Sequence, residues 1–197
     1  MEKTGVQKLA KILKILVTVT FVCNLIVLPL VPGIVGIGFS PEGWGAFQEL
    51  AAYEGSPLQL PIRVGALFFL SCWQYLARVW REAYTAVLTF FLLACGASTA
   101  VILWQARRVL DTILAENPFQ KKNGESMKRA AVCCFVISGA ALLRTFWRLW
   151  YYGSIAPLFT YNTLFIPVFA MGGLLCMVIS ALFRQAAELK EENDLTI

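Results

Sequence analysis

The sequence contains no histidine among its 197 residues, and only 15% of its residues are charged. The missing histidine removes the commonest general base, the commonest zinc ligand and the usual axial ligand of haem. Bis-histidine haem, zinc-protease and Ser-His mechanisms are therefore excluded, and we expect no cofactor. The scarcity of charge also leaves little polar chain from which to build a soluble catalytic domain.

The six cysteines show no Cys-x-x-Cys spacing of the kind that holds zinc or forms a redox disulfide. They lie singly in apolar segments, apart from the adjacent Cys133 and Cys134, whose side chains point about 100° apart on a helix. Free cysteine is usually buried, so small packing residues are the favoured interpretation. The sequence therefore predicts no metal site and no catalytic residue.

Apolar residues make up 58% of the chain and its mean hydropathy is +0.67, whereas a soluble domain is near half apolar and a quarter charged. A helix needs about 20 apolar residues to cross the hydrocarbon core of a membrane. Four segments qualify, at about residues 12–35, 83–104, 129–150 and 160–183. We predict an all-α integral membrane protein, a single domain over 1–197, with four transmembrane helices in a bundle.

Three of these spans carry local signals. Pro29 and Pro32 are expected to break or end the first helix. The third span has an uncharged run only over 130–143, so its helix must continue to about Trp150 to cross the membrane. In the fourth span, the pair Gly172-Gly173 would let a neighbouring helix approach closely.

The distribution of lysine and arginine predicts the orientation. With the N-terminus inside, twelve of the 17 basic residues face the cytoplasm, most of them before the first span, in the loop 105–128 and in the tail 184–197. Both termini are then cytoplasmic. The basic flanks also attract anionic lipid. No direct nucleic-acid binding is expected, because these residues are dispersed at span ends without a recognition module.

An external segment, 40–82, connects the first two spans. Its middle, Val64–Ala77, holds 14 uncharged residues between Arg63 and Arg78, too few to cross the membrane. We interpret it as an outer interfacial or re-entrant helix. It is either a cap that covers helix ends or a lid that an external ligand touches first.

Arg144 and Arg148 are four residues apart and share one helix face, among aromatic residues. One interpretation is an outer belt in which the arginines reach lipid headgroups. In the other, the pair faces inward and holds an anionic ligand or the Glu82 carboxylate, because like charges this close need a counter-ion. Arg78 and Arg81 could join such a cluster. Both interpretations stay open at this point.

The cytoplasmic loop begins with a continuation of the second helix past the membrane. This helix is expected to stop at Asn117, because the residue before Pro118 is pushed out of the helical region. Phe119 follows. Further on, Asn123-Gly124 suits a turn and Ser126 suits the N-cap of the third span.

The tail is predicted to form an amphipathic helix over 184–192, ended by Asn193 and followed by a short hydrophobic hook, Leu195 and Ile197. The acidic tail is either solvated, or its hook docks onto the chain's own Pro118-Phe119 loop or onto a partner.

The loop and the tail together resemble a bacterial family called domain of unknown function 2975. Members are small four-span membrane proteins with a Pro-Phe motif between spans two and three and an acidic tail closing on Asp-Leu-Thr-Val or similar. The resemblance covers roughly residues 83–197, with Met127-Lys128 where Leu-Arg is more usual. It is carried by Asn117-Pro118-Phe119, Asn123, Met127-Lys128 and the ending Glu188–Ile197.

The resemblance implies a bacterial inner or plasma membrane, and a partner, since members are often encoded beside a small helix-turn-helix regulator. We therefore expect a non-enzymatic regulator or sensor acting with such a cytoplasmic partner. A small transporter or channel component is the alternative, a membrane enzyme is less favoured, and a homo-oligomer is compatible with each. The residues expected to bind the partner are Asn117, Pro118, Phe119, Asn123, Asp194, Leu195 and Ile197.

Overall fold

A computed structural model of the chain describes residues 5–39, 79–115 and 119–195, together with positions 45, 65, 69, 72–74, 76 and 117. Every regular element within these residues is a helix. The chain divides into two compact units, one formed by Met1–Leu25 with Ala94–Ile197 and the other by Ile26–Leu93. We describe each unit by itself.

The α-helices whose bounds lie within the described ranges are numbered in chain order: α1 (Gly5–Val27), α2 (Val31–Gly38), α3 (Ala83–Leu114), α4 (Lys121–Tyr152) and α5 (Tyr161–Leu195). Within the part of the chain that the structure describes, four segments are long and apolar enough to cross a membrane: Gln7–Gly38, Ala83–Leu114, Lys121–Tyr152 and Tyr161–Asn193. The predicted all-α membrane fold with four spans is confirmed. A helix of 32 residues is about 48 Å long, so each span exceeds a hydrocarbon core of about 30 Å.

The two prolines of the first span interrupt the helix as predicted. α1 ends at Val27, and a 3₁₀ turn over Leu28–Leu30 contains Pro29. Pro32 then occupies the first turn of α2, where its missing N–H costs no hydrogen bond. The chain therefore resumes a helical path after the interruption instead of ending at it.

In the second unit, α2 packs closely against the segment before α3. Gly33 faces Cys72, and a Cβ atom on Gly33 would lie only 2.5 Å from the Cα atom of Cys72. Thr85, at the start of α3, is buried and donates a hydrogen bond to the Val79 carbonyl at 2.8 Å. The interfacial helix predicted over Val64–Ala77 lies mostly outside the described residues. The described positions within it, 65, 69, 72–74 and 76, are helical.

In the first unit, α4 is the most enclosed span. In its most apolar stretch 39% of the residues are buried, against 6%, 11% and 11% in the other spans, although α4 is the least apolar of the four. A helix that packs against protein needs less apolar surface than one that faces lipid, and small residues let its neighbours approach. The small buried residues of α4 are Gly124, Ser126, Ala130, Ala131, Cys134, Ser138, Ala141 and Thr145.

α4 and α5 are held together by two serine hydroxyls. Ser138 of α4 donates to the Ile166 carbonyl of α5 at 2.8 Å, beside Pro167, the proline inside α5. Ser180 of α5 donates to the Gly124 carbonyl of α4 at 2.6 Å. Such interhelical hydrogen bonds stabilise helix pairs in membranes.

Between these bonds, one glycine of the predicted pair serves close packing. A Cβ atom on Gly173 would lie 3.0 Å from the Phe135 ring of α4, whereas one on Gly172 would meet nothing within 4 Å. The expected close approach is confirmed for Gly173 alone.

The predicted N-cap of the helix that forms the third span is wrong. α4 begins at Lys121 with Gln120 as an extended N-cap, so Asn123 and Gly124 lie in its first turn and Ser126 is buried within it. A Cβ atom on Gly124 would lie 2.8 Å from the Arg184 Cγ atom and 3.0 Å from the Ser180 carbonyl oxygen. Packing against α5 thus overrides the local preference of this pair for a turn.

The far ends of α4 and α5 extend beyond the predicted bounds. α4 runs past Trp150 to Tyr152, as the crossing of the membrane requires. Its C-cap is Gly153, which has a left-handed φ of 57° and donates its N–H to the Leu149 carbonyl. α5 continues unbroken to Leu195. Residues 184–192 are therefore helical as predicted, but they continue α5, and the helix ends at Leu195 instead of at Asn193.

Candidate functional site

The loop between α3 and α4 begins where the sequence predicts. α3 ends at Leu114, and the Asn117 backbone N–H donates to the Thr112 carbonyl at 3.1 Å, closing the last turn. The Thr112 hydroxyl donates to the Val109 carbonyl at 2.7 Å. This arrangement leaves Asn117 outside the helix, as expected of a residue before proline. Pro118 itself lies outside the described residues.

Asn123 joins the two ends of this loop. Its side chain is only 1% exposed, and its amide Nδ2 donates to the Thr112 hydroxyl at 2.6 Å. The first turn of α4 is thereby docked on the last turn of α3. A buried amide that loses its hydrogen-bond partner destabilises the fold. The contact between Asn123 and Thr112 therefore holds the loop in this conformation. Asn123 is placed to position the loop, not to touch another molecule.

The end of α5 lies against the same loop through two polar contacts. The Lys190 ammonium donates to the Asn117 side-chain oxygen Oδ1 at 3.1 Å. The Lys121 ammonium and the Glu191 carboxylate form an ion pair at 2.7 Å. Exposed pairs of this kind determine position more than stability.

We call these five residues the loop–tail cluster: Asn117, Lys121, Asn123, Lys190 and Glu191. Two large apolar side chains are exposed in the same segments, Phe119 at 51% and Leu189 at 61%. On the opposite face of α5, Ala187 is buried at 3%. The cluster therefore fixes the loop against the tail and leaves an aromatic and an aliphatic side chain exposed.

The remaining predicted contact residues lie at the edge of what the structure describes. Asp194 and Leu195 form the last residues of α5. Ile197 lies outside the described residues, so docking of the hook is not described. Lys121, Lys190 and Glu191 were not predicted. The signal that could have identified them is the opposite charge of the basic loop and the acidic tail.

The two arginines of α4 differ in their surroundings. Arg144 is half-buried, and its Nη1 donates to the Asn162 side-chain oxygen of α5 at 3.1 Å. The Nε of Arg148 is buried and has no hydrogen-bond partner within the described part of the chain. Aromatic residues of the same helix end are exposed, Trp150 above all. Arg144 thus faces the neighbouring helix, as the interpretation of an inward-facing pair requires. The aromatic side chains are exposed, as the interpretation of an interfacial belt requires.

The other predicted anion or lipid contacts are Arg78 and Arg81. Arg81 is exposed in the 3₁₀ turn Val79–Arg81 of the second unit, and Arg78 lies outside the described residues. Among the residues that the structure describes, no group of three or more Cys, Asp or Glu side chains could hold a metal ion.

Comparison with family models matches residues 46–197 to a family described as a protein of unknown function, DUF2975. The match reaches further upstream than the resemblance read from the loop and tail, and it includes most of the segment between the first two spans. No curated protein and no solved structure matches the chain.

Proposed function

Because the chain belongs to the DUF2975 family, whose function is unknown, its role must be inferred from its own residues, and we propose that it is a non-enzymatic membrane regulator that holds a cytoplasmic protein partner. The observation that carries this proposal is the loop–tail cluster. Two segments far apart in sequence are joined by Lys190 to Asn117 and by Lys121 to Glu191.

The exposed side chains of these segments supply the contact. Phe119 and Leu189 are large, apolar and exposed in segments that are otherwise polar and charged. Buried aromatic anchors surrounded by polar groups carry most of the binding energy of protein interfaces. The excess of basic residues at this end of the spans favours a cytoplasmic location. A small helix-turn-helix regulator is the partner class that we favour, on the basis of the family resemblance.

The proposal is tested by affinity capture in mild detergent from the native host, with mass spectrometry. Wild type is compared with Phe119→Ser, Leu189→Ser and the control Phe159→Ser, which changes an even more exposed phenylalanine beyond the other end of α4. We expect wild type and the control to capture a small DNA-binding protein. Phe119→Ser should recover at least tenfold less of that protein. Equal recovery with all four chains, or recovery of the chain alone, would contradict the proposal.

A small transporter or channel component is the second candidate, and the observation that favours it is the inward Arg144. An arginine that faces a neighbouring helix within a span, with a second arginine nitrogen buried nearby, is typical of an anion path. Reconstitution in liposomes tests it. Chloride, sulfate or phosphate flux that is abolished by Arg144→Ala would favour transport, and absence of flux from wild type would exclude these anions.

A further inference from the structure

A groove of about 460 Å³ lies within the first unit, between α1 and the last turns of α3. Its lining combines three cationic side chains with apolar walls and one hydroxyl. We call it the basic cleft. It is lined by Lys11, Lys14, Ile15, Thr18, Val19, Arg107 and Leu114.

The cleft carries positive charge that the described chain does not neutralise. Lys14 is paired with the Asp111 carboxylate at 2.6 Å. Among the described residues, neither Lys11 nor Arg107 has a carboxylate within ion-pair distance. Two like charges beside a low-dielectric wall repel each other, and an anion between them would relieve that repulsion.

The position of the cleft along the spans indicates the kind of anion. Lys14 is the last charged residue before the uncharged run of the first span, and Arg107 is the first charged residue after the uncharged run of α3. The cleft therefore lies where hydrocarbon gives way to headgroups. Val19 in its lining and the neighbouring Leu16 of α1 are exposed and provide an apolar surface along which acyl chains can lie. A free anion would make no use of that surface.

We propose that the basic cleft binds the headgroup of an anionic phospholipid. Lys11 and Arg107 contact the phosphate, and Lys14, held by Asp111, forms the rim. Arginine presents a planar fork of donors that matches phosphate oxygens, and lysine adds a compact charge. The uncompensated positive charge selects against zwitterionic lipids, because their choline or ethanolamine group brings a cation of its own.

The test measures thermal stability of the full chain in a nonionic detergent. The probes are dioctanoyl phosphatidylglycerol, dioctanoyl phosphatidylcholine and inorganic phosphate. We expect the first to raise Tm with saturation and the other two to have little effect. Lys11→Gln with Arg107→Gln should weaken the response to phosphatidylglycerol at least tenfold. Lys8→Gln with Arg108→Gln, the same change of charge outside the cleft lining, should leave it close to wild type.

Each alternative result overturns the proposal in its own way. If inorganic phosphate raises Tm as much as phosphatidylglycerol does, the ligand is a free anion. If phosphatidylcholine raises Tm as much, the cleft binds an acyl chain and not an anionic headgroup. Equal loss in both double variants would indicate diffuse attraction of charge. Val19→Trp fills the cleft without changing its charge at an exposed position. This variant keeps the proposal testable if the charge variants misfold. An undiminished rise in Tm of Val19→Trp with phosphatidylglycerol would exclude the cleft as the binding site.

Discussion

At the scale of single residues, the side chains that organise the loop are only partly evident from sequence. Asn117 could be assigned to the helix stop because proline acts locally on the residue before it. Lys121 and Glu191 lie 70 residues apart, and their pairing depends on the packing of α4 against α5. The pattern of neighbouring residues in the sequence does not predict such a long-range contact. Asn123 belongs to the motif that carries the family resemblance, but its burial could not be predicted from a segment as polar as this one.

The Lys121–Glu191 pair predicts a measurable change in the tail. Lys121→Glu should place like charges together and raise amide hydrogen exchange over residues 188–195 several-fold, because those turns lose a fixed neighbour. The double variant Lys121→Glu, Glu191→Lys should restore protection. Lys122→Glu, the same change on the adjacent exposed lysine, serves as control. Equal exchange in all variants would contradict a positioning role for the pair.

At the scale of elements, the spans could be predicted because a membrane imposes long apolar helices, whatever they pack against. The ends of the helices could not be predicted as well. Asn123-Gly124 has the local chemistry of a turn, yet it lies in α4 because its glycine admits Arg184. In the first span α1 ends before Pro29, yet a helical path resumes in α2, since Pro32 falls at a position where proline is tolerated.

The adjacent glycines of α5 provide a paired test of helix packing. Gly173→Leu should destabilise the protein by about 1–3 kcal/mol, because its side chain would displace the Phe135 ring. Gly172→Leu should be neutral or stabilising by up to about 1 kcal/mol, since it meets open space and improves helix propensity. Thermal unfolding in detergent checks both. Similar losses at the two positions would show that α4 does not pack against Gly173 as described.

At the scale of the whole molecule, composition alone identified a membrane protein, while its orientation rests on the basic residues. The positive-inside pattern predicts that the C-terminus and the α3–α4 loop are cytoplasmic. Green fluorescent protein fused after Ile197 should therefore fluoresce in cells, and the same fusion after Phe159 should not, because it would be exported unfolded. The reverse result would invert the topology and remove the loop–tail cluster from any cytoplasmic partner.

The unbroken course of α5 has a mechanical consequence. From Pro167, where the helix lacks a backbone hydrogen bond, to Leu195 the helix forms a rod of about 42 Å. Rotation of this rod by about 10° at the proline would sweep its tip through about 7 Å. That travel exceeds the reach of the Lys190 and Glu191 contacts. A small tilt of the turns before Pro167 would therefore separate the tail from the loop at the far end of α5.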